Sequence, residues 1–223
     1  MGWWFGDVWQ SSPTLALCWV AWVIISITLH ELGHGWMAIR CGDGTPAYTG
    51  HMTLNPLVHI PFPWAWIMFA AFGFTWGLMP VNPSNFRGRY DDAKVAFAGP
   101  AVNAILAVLC AIMSVIWVTY ARGAGPAFPI IAIFLYCGVM INTVGFLFNL
   151  IPVPPLDGSR ILGDFFPALR PFFRGERAVW VSVVAALVLF RYGGDVVWPA
   201  ARHITELMLD TGLRLTGGGK YAP

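Results

Sequence analysis

VWQSSPTLALCWVAWVIISITLHELGHGWMAIR, residues 8–40, decides the fold. Val8 to Leu29 carries no charge, and about 20 apolar residues suffice for a helix to cross a bilayer. Pro13 suits a first helical turn, so the helix is expected to begin there. It is expected to continue through HELGHGWMAIR to about Arg40. His30, Glu31 and His34 sit together at the far end of this apolar run. Ionisable groups in a membrane span are costly and mark function by default.

The composition agrees with a membrane class. The chain has 223 residues, of which 57% are hydrophobic, 15% aromatic and 11% charged. Its mean hydropathy is +0.65. A soluble domain carries roughly 25% charged residues, so this chain cannot coat a water-facing surface. A single integral membrane domain over 1–223 is expected. The length leaves no room for an added soluble regulatory module of on the order of 100 residues. The net charge is +2 with no basic cluster, which excludes nucleic acid as a partner. Cys18, Cys41, Cys110 and Cys137 show no metal-ligand spacing and read as small buried hydrophobes. The opening MGWWFGDVWQ lacks the basic region of a cleavable signal.

The rest of the chain divides by hydropathy and by helix breakers. Cys41 to Pro63 is mixed, and TPAYTGHMTL (45–54) has the composition of short strands. Trp64 to Pro80 is apolar, but its 17 residues are the lower limit for a span. Asn82 to Lys94 is polar. Val95 to Ala121 and Ala127 to Ile151 are clear spans, joined by the tight turn Arg122 to Pro126. Pro152 to Arg177 is charged and contains proline. Ala178 to Phe190 is uncharged but short, and crosses only if its flanking arginines snorkel. Val196 to Leu213 is amphipathic, with Arg202, Glu206 and Asp210 on one face and Val197, Ile204, Leu207 and Met208 on the other. It reads as an interfacial helix. TGGGKYAP at the end reads as loose. The 12 Trp residues read mostly as interface anchors. The expected fold is an all-α polytopic membrane protein. It has about four to five transmembrane helices plus a re-entrant or β-hairpin segment around 45–80. Residues 178–213 form C-terminal transmembrane or interfacial helices.

HELGH is an HExxH pattern. Residues i and i+4 share a helix face, so the two imidazoles can bind one Zn²⁺. Glu31 lies beside the open position of such a metal, where it can take a proton from water. A catalytic zinc needs a third protein ligand. Asp157, in FNLIPVPPLDGSR just past the 127–151 span, is the leading candidate. Asp-Gly is as readily a plain turn, and Asn149 as readily a helix-end amide, so these residues alone leave the matter open. His51 and His59 read as loop or interfacial residues, and His203 as a surface residue.

Three motifs in order resemble the site-2 protease family of intramembrane zinc metalloproteases. They are HELGH, GPAVN (Gly99 to Asn103) and NLIPVPPLDG (Asn149 to Gly158). The resemblance covers about residues 14–165, the catalytic core it implies. TLNPLVHI (53–60) and PVNP (80–83) are similar to the intervening segments of the compact prokaryotic members without PDZ or CBS modules. The chain departs from their usual pattern at Pro61, where Asp is usual, and at Leu78-Met79, which replaces a basic residue before PVNP. The resemblance implies one zinc per chain held by His30, His34 and Asp157, with Glu31 as catalytic base. It also implies that Asn149 stabilises the oxyanion and that Asn103 lies near the active site. Regulation is then left to membrane partners or to the substrate itself.

The implied ligands set a topological condition. His30 and His34 precede the end of the first span, and Asp157 follows the end of another. These ends must meet on one side, so 64–80 is expected to dip in and return. Arg40, Arg87, Arg89, Lys94, Arg160, Arg170, Arg174 and Arg177 then share one face, 8 of the 13 basic residues, which makes that face cytoplasmic. The expected protein is a multi-pass enzyme of the cell membrane with its site inside the bilayer near the cytoplasm. It would cut peptide bonds in or beside the transmembrane segments of membrane proteins. Residues 45–54 would hold the unwound peptide by β-addition. Two alternatives stay open: a cytosol-facing membrane zinc peptidase whose third ligand is a Glu, and a non-proteolytic scaffold or metal transporter.

Overall fold

The computed structural model describes residues 4–73, 75–173, 192 and 194–217. Among the described residues, three helices are long and apolar enough to cross a membrane: α2 (Pro13–Arg40), α6 (Asp91–Tyr120) and α7 (Ala127–Asn149). A short α1 (Trp4–Ser11) precedes them. Between α2 and α6 lie α3 (Thr45–Tyr48), α4 (Pro56–His59) and α5 (Trp64–Phe72). After α7 come α8 (Asp157–Phe165), α9 (Arg170–Phe173) and α10 (Gly194–Leu215). The expected Ala178–Phe190 crossing lies outside the described residues.

Local chemistry sets the ends of α2. Pro13 occupies the first turn, and the Ser12 hydroxyl accepts from Leu15 N at 3.2 Å. The helix runs for 28 residues to Arg40. That is about 42 Å, which exceeds the hydrocarbon thickness and leaves the HELGH turns inside.

α2, α6 and α7 pack as a three-helix bundle, with α6 antiparallel to both. Cys18, Trp22, Cys110, Ala111, Val115, Cys137 and Val139 form its apolar centre. All four cysteines are free and buried, as their spacing implied. Trp22 is core rather than anchor, and its indole donates to the Phe134 carbonyl at 2.7 Å. On the outer face of α6, Ile105, Leu109, Ile112, Met113 and Ile116 are each at least half exposed. In water such a stripe would be a large unpaid cost, whereas in lipid it is the expected surface.

The 64–80 segment behaves as a re-entrant element. α5 has nine residues, about 14 Å, which is less than half of a bilayer core. It ends at Gly73, whose φ of 76° forms the left-handed cap. The Gly73 carbonyl meets the Trp19 indole at 3.0 Å, high on α2. The chain then descends as an extended strand-like segment. Gly77 packs against Glu31, and Met79 reaches Gly35. Asn82 N donates to Asp43 at the C-terminal end of α2. Entry and exit therefore lie at the same end of the bundle.

Residues 45–54 correct the strand expectation. No strand occurs among the described residues, and Thr45–Tyr48 is one helical turn. Pro46 sits at its start, and the Asp43 carboxylate accepts from Thr45 N at 3.1 Å, turning the chain as a helix start does. Gly50, with φ of 73°, then reverses it. β-like composition loses here to one acidic turn at Asp43 and a proline.

α10 also differs from its sequence reading. It is not simply spread in the interface but sits on α6 and α7. Val197, Ala201, Thr205, Leu209 and Leu213, each four residues apart, form the buried face. The small side chains allow close approach: Gly212 lies on Val115, and the Thr205 hydroxyl meets Met140 Sδ at 3.8 Å. Leu207, expected on the apolar face, is 58% exposed.

Asp43 ties this end of the molecule together. It is fully buried. One oxygen accepts from Thr45 N, the Thr45 hydroxyl and the Asn85 amide, and the other accepts from Asn82 N. Burial pushes its pKa up, but these hydrogen bonds outweigh burial and hold it below the ordinary carboxylate value. Its stabilisation is thus present at neutral pH and is lost as pH falls below about 4. Asp43→Ala is expected to cost about 3 kcal/mol at pH 7. In detergent melts the gap from wild type should narrow below about pH 4.

Candidate metal centre

His30 and His34 lie one turn apart on α2 and face α6. Their Nε2 atoms are 3.0 Å apart. The Asp157 carboxylate, at the first residue of α8, lies 3.3 Å from His30 Nε2 and 3.2 Å from His34 Nε2. All three side chains are largely buried. An ion in tetrahedral coordination with bonds of about 2.0–2.2 Å keeps its ligand atoms about 3.3–3.5 Å apart. The three observed spacings, 3.0, 3.2 and 3.3 Å, sit at or a little below that range, close enough for the atoms to converge on one such ion. Among the described residues this is the one group of His, Cys, Asp and Glu side chains with that convergence.

The space for the ion comes from α6. Gly99 presents bare backbone to the two imidazoles, and a methyl group there would strike both Nε2 atoms. Gly33 on α2 meets the Ala98 carbonyl and Val102 just as closely. The paired glycines bring the helix axes together and leave a hollow on the ligand atoms. The donor set, two imidazoles and one carboxylate, suits a catalytic zinc.

Each imidazole is oriented from behind. His34 Nδ1 donates to the Val95 carbonyl at 2.7 Å, and His30 Nδ1 lies 2.6 Å from Asn103 Oδ1. Both Nε2 atoms are thereby turned toward the hollow. Asn103 is 2% exposed.

Asp157 is carried in by α8. Gly158 lies directly on the Leu150 and Ile151 carbonyls, leaving no room for a side chain. The far end of α8 is fastened to the start of α6. Asp164 accepts from Ala93 N at 3.0 Å, where helix-terminal N–H groups favour an anion. Arg160 pairs with Asp92 at 2.8 Å, and Arg170 with Asp164 at 2.7 Å.

The other sequence candidates are placed as follows. Glu31 is buried on α2 beneath Gly77 of the extended segment. Asn149 is the last residue of α7, half-buried, and its amide donates to the Gly145 carbonyl at 2.9 Å. His59 is buried, with Nε2 on the Thr53 carbonyl at 2.7 Å, and His51 contacts Thr49. Neither joins the metal group. His203 is exposed. The sequence reading missed Ser26 and Asn142, which contact Asn103. A polar residue in an apolar span was their only available signal.

Comparison with known proteins points the same way. The profile of peptidase family M50 matches residues 114–190. "Putative zinc metalloprotease YwhC" of Bacillus subtilis is 37% identical over 184 residues, spanning 79% of this chain and 82% of that protein. "Putative zinc metalloprotease Rip2" of Mycolicibacterium smegmatis is 31% identical, over 68% of this chain and 57% of its own length. Rip2 of Mycobacterium tuberculosis H37Rv is 29% identical over 77% of this chain and 65% of its own. No solved structure matches.

The hollow generates a direct expectation. Gly99→Val puts methyl groups where an ion would sit, so zinc content measured by atomic absorption should fall at least about tenfold. Retention of wild-type zinc in a folded Gly99→Val protein would place the ion elsewhere.

Proposed function

The chain belongs to peptidase family M50, the site-2 proteases, and is a membrane zinc metalloprotease; from that premise we propose that it cuts peptide bonds within or next to the transmembrane segments of other membrane proteins. The observation that carries this reading is the depth of the His–His–Asp group. His30 stands ten residues before the end of a membrane-length helix, about 15 Å along its axis, and the apolar bundle encloses it. A protease for soluble peptides has no need to bury its site there.

In this reading His30, His34 and Asp157 hold the zinc, one per chain. When bound, the metal supplies Lewis-acid activation of water and of the scissile carbonyl. Glu31 takes the proton from the attacking water and returns it to the leaving amine. Gly77, lacking a side chain, lets the extended segment lie directly against the Glu31 carboxylate. Asn149 spends one N–H on Gly145 and has a second to offer to the oxyanion. Asn103 fixes His30.

A substrate helix hides its carbonyls in its own hydrogen bonds and must open before it reacts. The 45–54 loop is helical and offers no strand edge. The extended segment at 75–82 takes that role in our proposal. Among the described residues, the backbones of Trp76, Gly77 and Met79 make no hydrogen bond. They pass the catalytic Glu31 and can pair with an extended peptide. The catalytic core is 14–165 within a single domain. The positive-inside argument puts the site near the cytoplasmic face of the cell membrane. Substrates are transmembrane proteins, and regulation falls to a membrane partner or to the substrate.

Opening a helix in lipid costs several kcal/mol for each unreplaced bond, and Gly or Pro lowers that cost by about 1–3 kcal/mol. In proteoliposomes, replacing helix-breaking residues near the cut site of a transmembrane substrate with Leu should slow cleavage at least about tenfold, about 1.4 kcal/mol. Glu31→Gln enzyme, with zinc retained, provides the blank. Unchanged cleavage of the Leu substrate, with dependence on a soluble motif instead, would contradict the proposal.

A further inference from the structure

We propose that Ser26 and Asn142, which lie outside all three motifs, are positioning residues for the metal centre: acting through Asn103, they fix the tautomer of His30. The inference rests on the reading of His30 as a zinc ligand. A neutral imidazole carries one proton. For Nε2 to bind metal, that proton must sit on Nδ1.

The two ligands reach this state by different means. His34 Nδ1 faces the Val95 carbonyl, which only accepts, so its proton is placed outright. His30 Nδ1 faces a side-chain amide. An amide is ambiguous, because turned over it would present N–H₂ to Nδ1 and drive the His30 proton onto Nε2. Something must hold Asn103 the right way round.

The hydrogen bonds behind Asn103 do so. Its Nδ2 lies 2.8 Å from Ser26 Oγ and 3.0 Å from Asn142 Oδ1. Ser26 Oγ is in turn 2.9 Å from Asn142 Oδ1. Asn142 could itself be flipped, but its Nδ2 lies 2.8 Å from the Gly138 carbonyl, which only accepts. Directions then follow one after another. Asn142 donates to Gly138, so its Oδ1 faces Asn103 and Ser26. Both donate to it, and Asn103 gives its second N–H to Ser26. Asn103 Oδ1 is left toward His30, and Nδ1 must donate. The relay runs from a backbone carbonyl of α7 to a metal ligand of α2.

The cost of the relay argues that it has a use. Ser26, Asn103 and Asn142 come from three different spans, and each is at most 5% exposed. Polar groups so deep are unfavourable unless fully paired. Apolar residues would fill the same volume. Ser26 also sits exactly one helical turn before His30, on the same face.

The test uses full-length protein in detergent, with zinc affinity measured by chelator competition. Loss of a group behind a ligand typically weakens metal binding 10–100-fold. Asn142→Leu should weaken zinc at least about tenfold, and Ser26→Ala by a smaller factor. The decisive comparison is a double-mutant cycle. Once Asn103→Ala has broken the relay, adding Asn142→Leu should weaken zinc by less than about twofold more. Normal affinity in Asn142→Leu, or a full further loss on top of Asn103→Ala, would overturn the proposal and leave Asn142 a packing residue. If Asn142→Leu does not fold, the same cycle with Ser26→Ala decides. His30→Ala is the separate check on the ligand: unchanged affinity there would overturn the His30 reading itself, apart from the relay.

Discussion

The structure depends on one close contact, the backbone of α6 laid directly on α2. Side chains normally separate packed helices by 8–10 Å. At Gly33 and Gly99 there are none, and no methyl group could be added at either position without a clash. The contact brings the Val95 carbonyl and Asn103 to the backs of the two imidazoles. It also opens the hollow at their Nε2 atoms. In lipid, where the hydrophobic effect does not drive helices together, such small-residue packing is what holds spans to one another. The same feature therefore serves both fold and site.

The third side of the centre is built differently. Asp157 comes from a short polar helix, and charged contacts fasten that helix beside a Tyr90–Phe165 ring stack. Asp164 reaches the start of α6, and Arg160 and Arg170 neutralise the acids around it. Asp92 and Asp164 are buried, so removing a single partner would leave an uncompensated charge. The apolar bundle fixes two of the grouped side chains, and this ionic clamp positions the third.

Much of this was legible in the sequence. Length and hydropathy located α2, α6 and α7, because a bilayer imposes a minimum run of apolar residues and tolerates few exceptions. The i, i+4 spacing of His30 and His34 fixes their shared face whatever surrounds them. Glycine and proline breaks in 64–80 anticipated a segment too short to cross. The failures have equally local causes. Residues 45–54 have strand-like composition, but Asp43 and Pro46 start a helical turn there. In α10 the buried face follows Ala201, Thr205 and Gly212, small residues that score poorly as apolar but fit tightly against α6 and α7. Ser26 and Asn142 showed only as polar residues in apolar spans, because their meaning lies in which atoms face one another across three spans.

The account stands on zinc held between α2 and α8 by two imidazoles and one carboxylate. X-ray absorption at the zinc edge of the purified, loaded protein measures that arrangement most directly. The account predicts two imidazole nitrogens at about 2.0–2.1 Å, oxygen ligands at about 2.0–2.2 Å and no sulfur. A sulfur shell near 2.3 Å, or a count of three or more imidazoles, would contradict it.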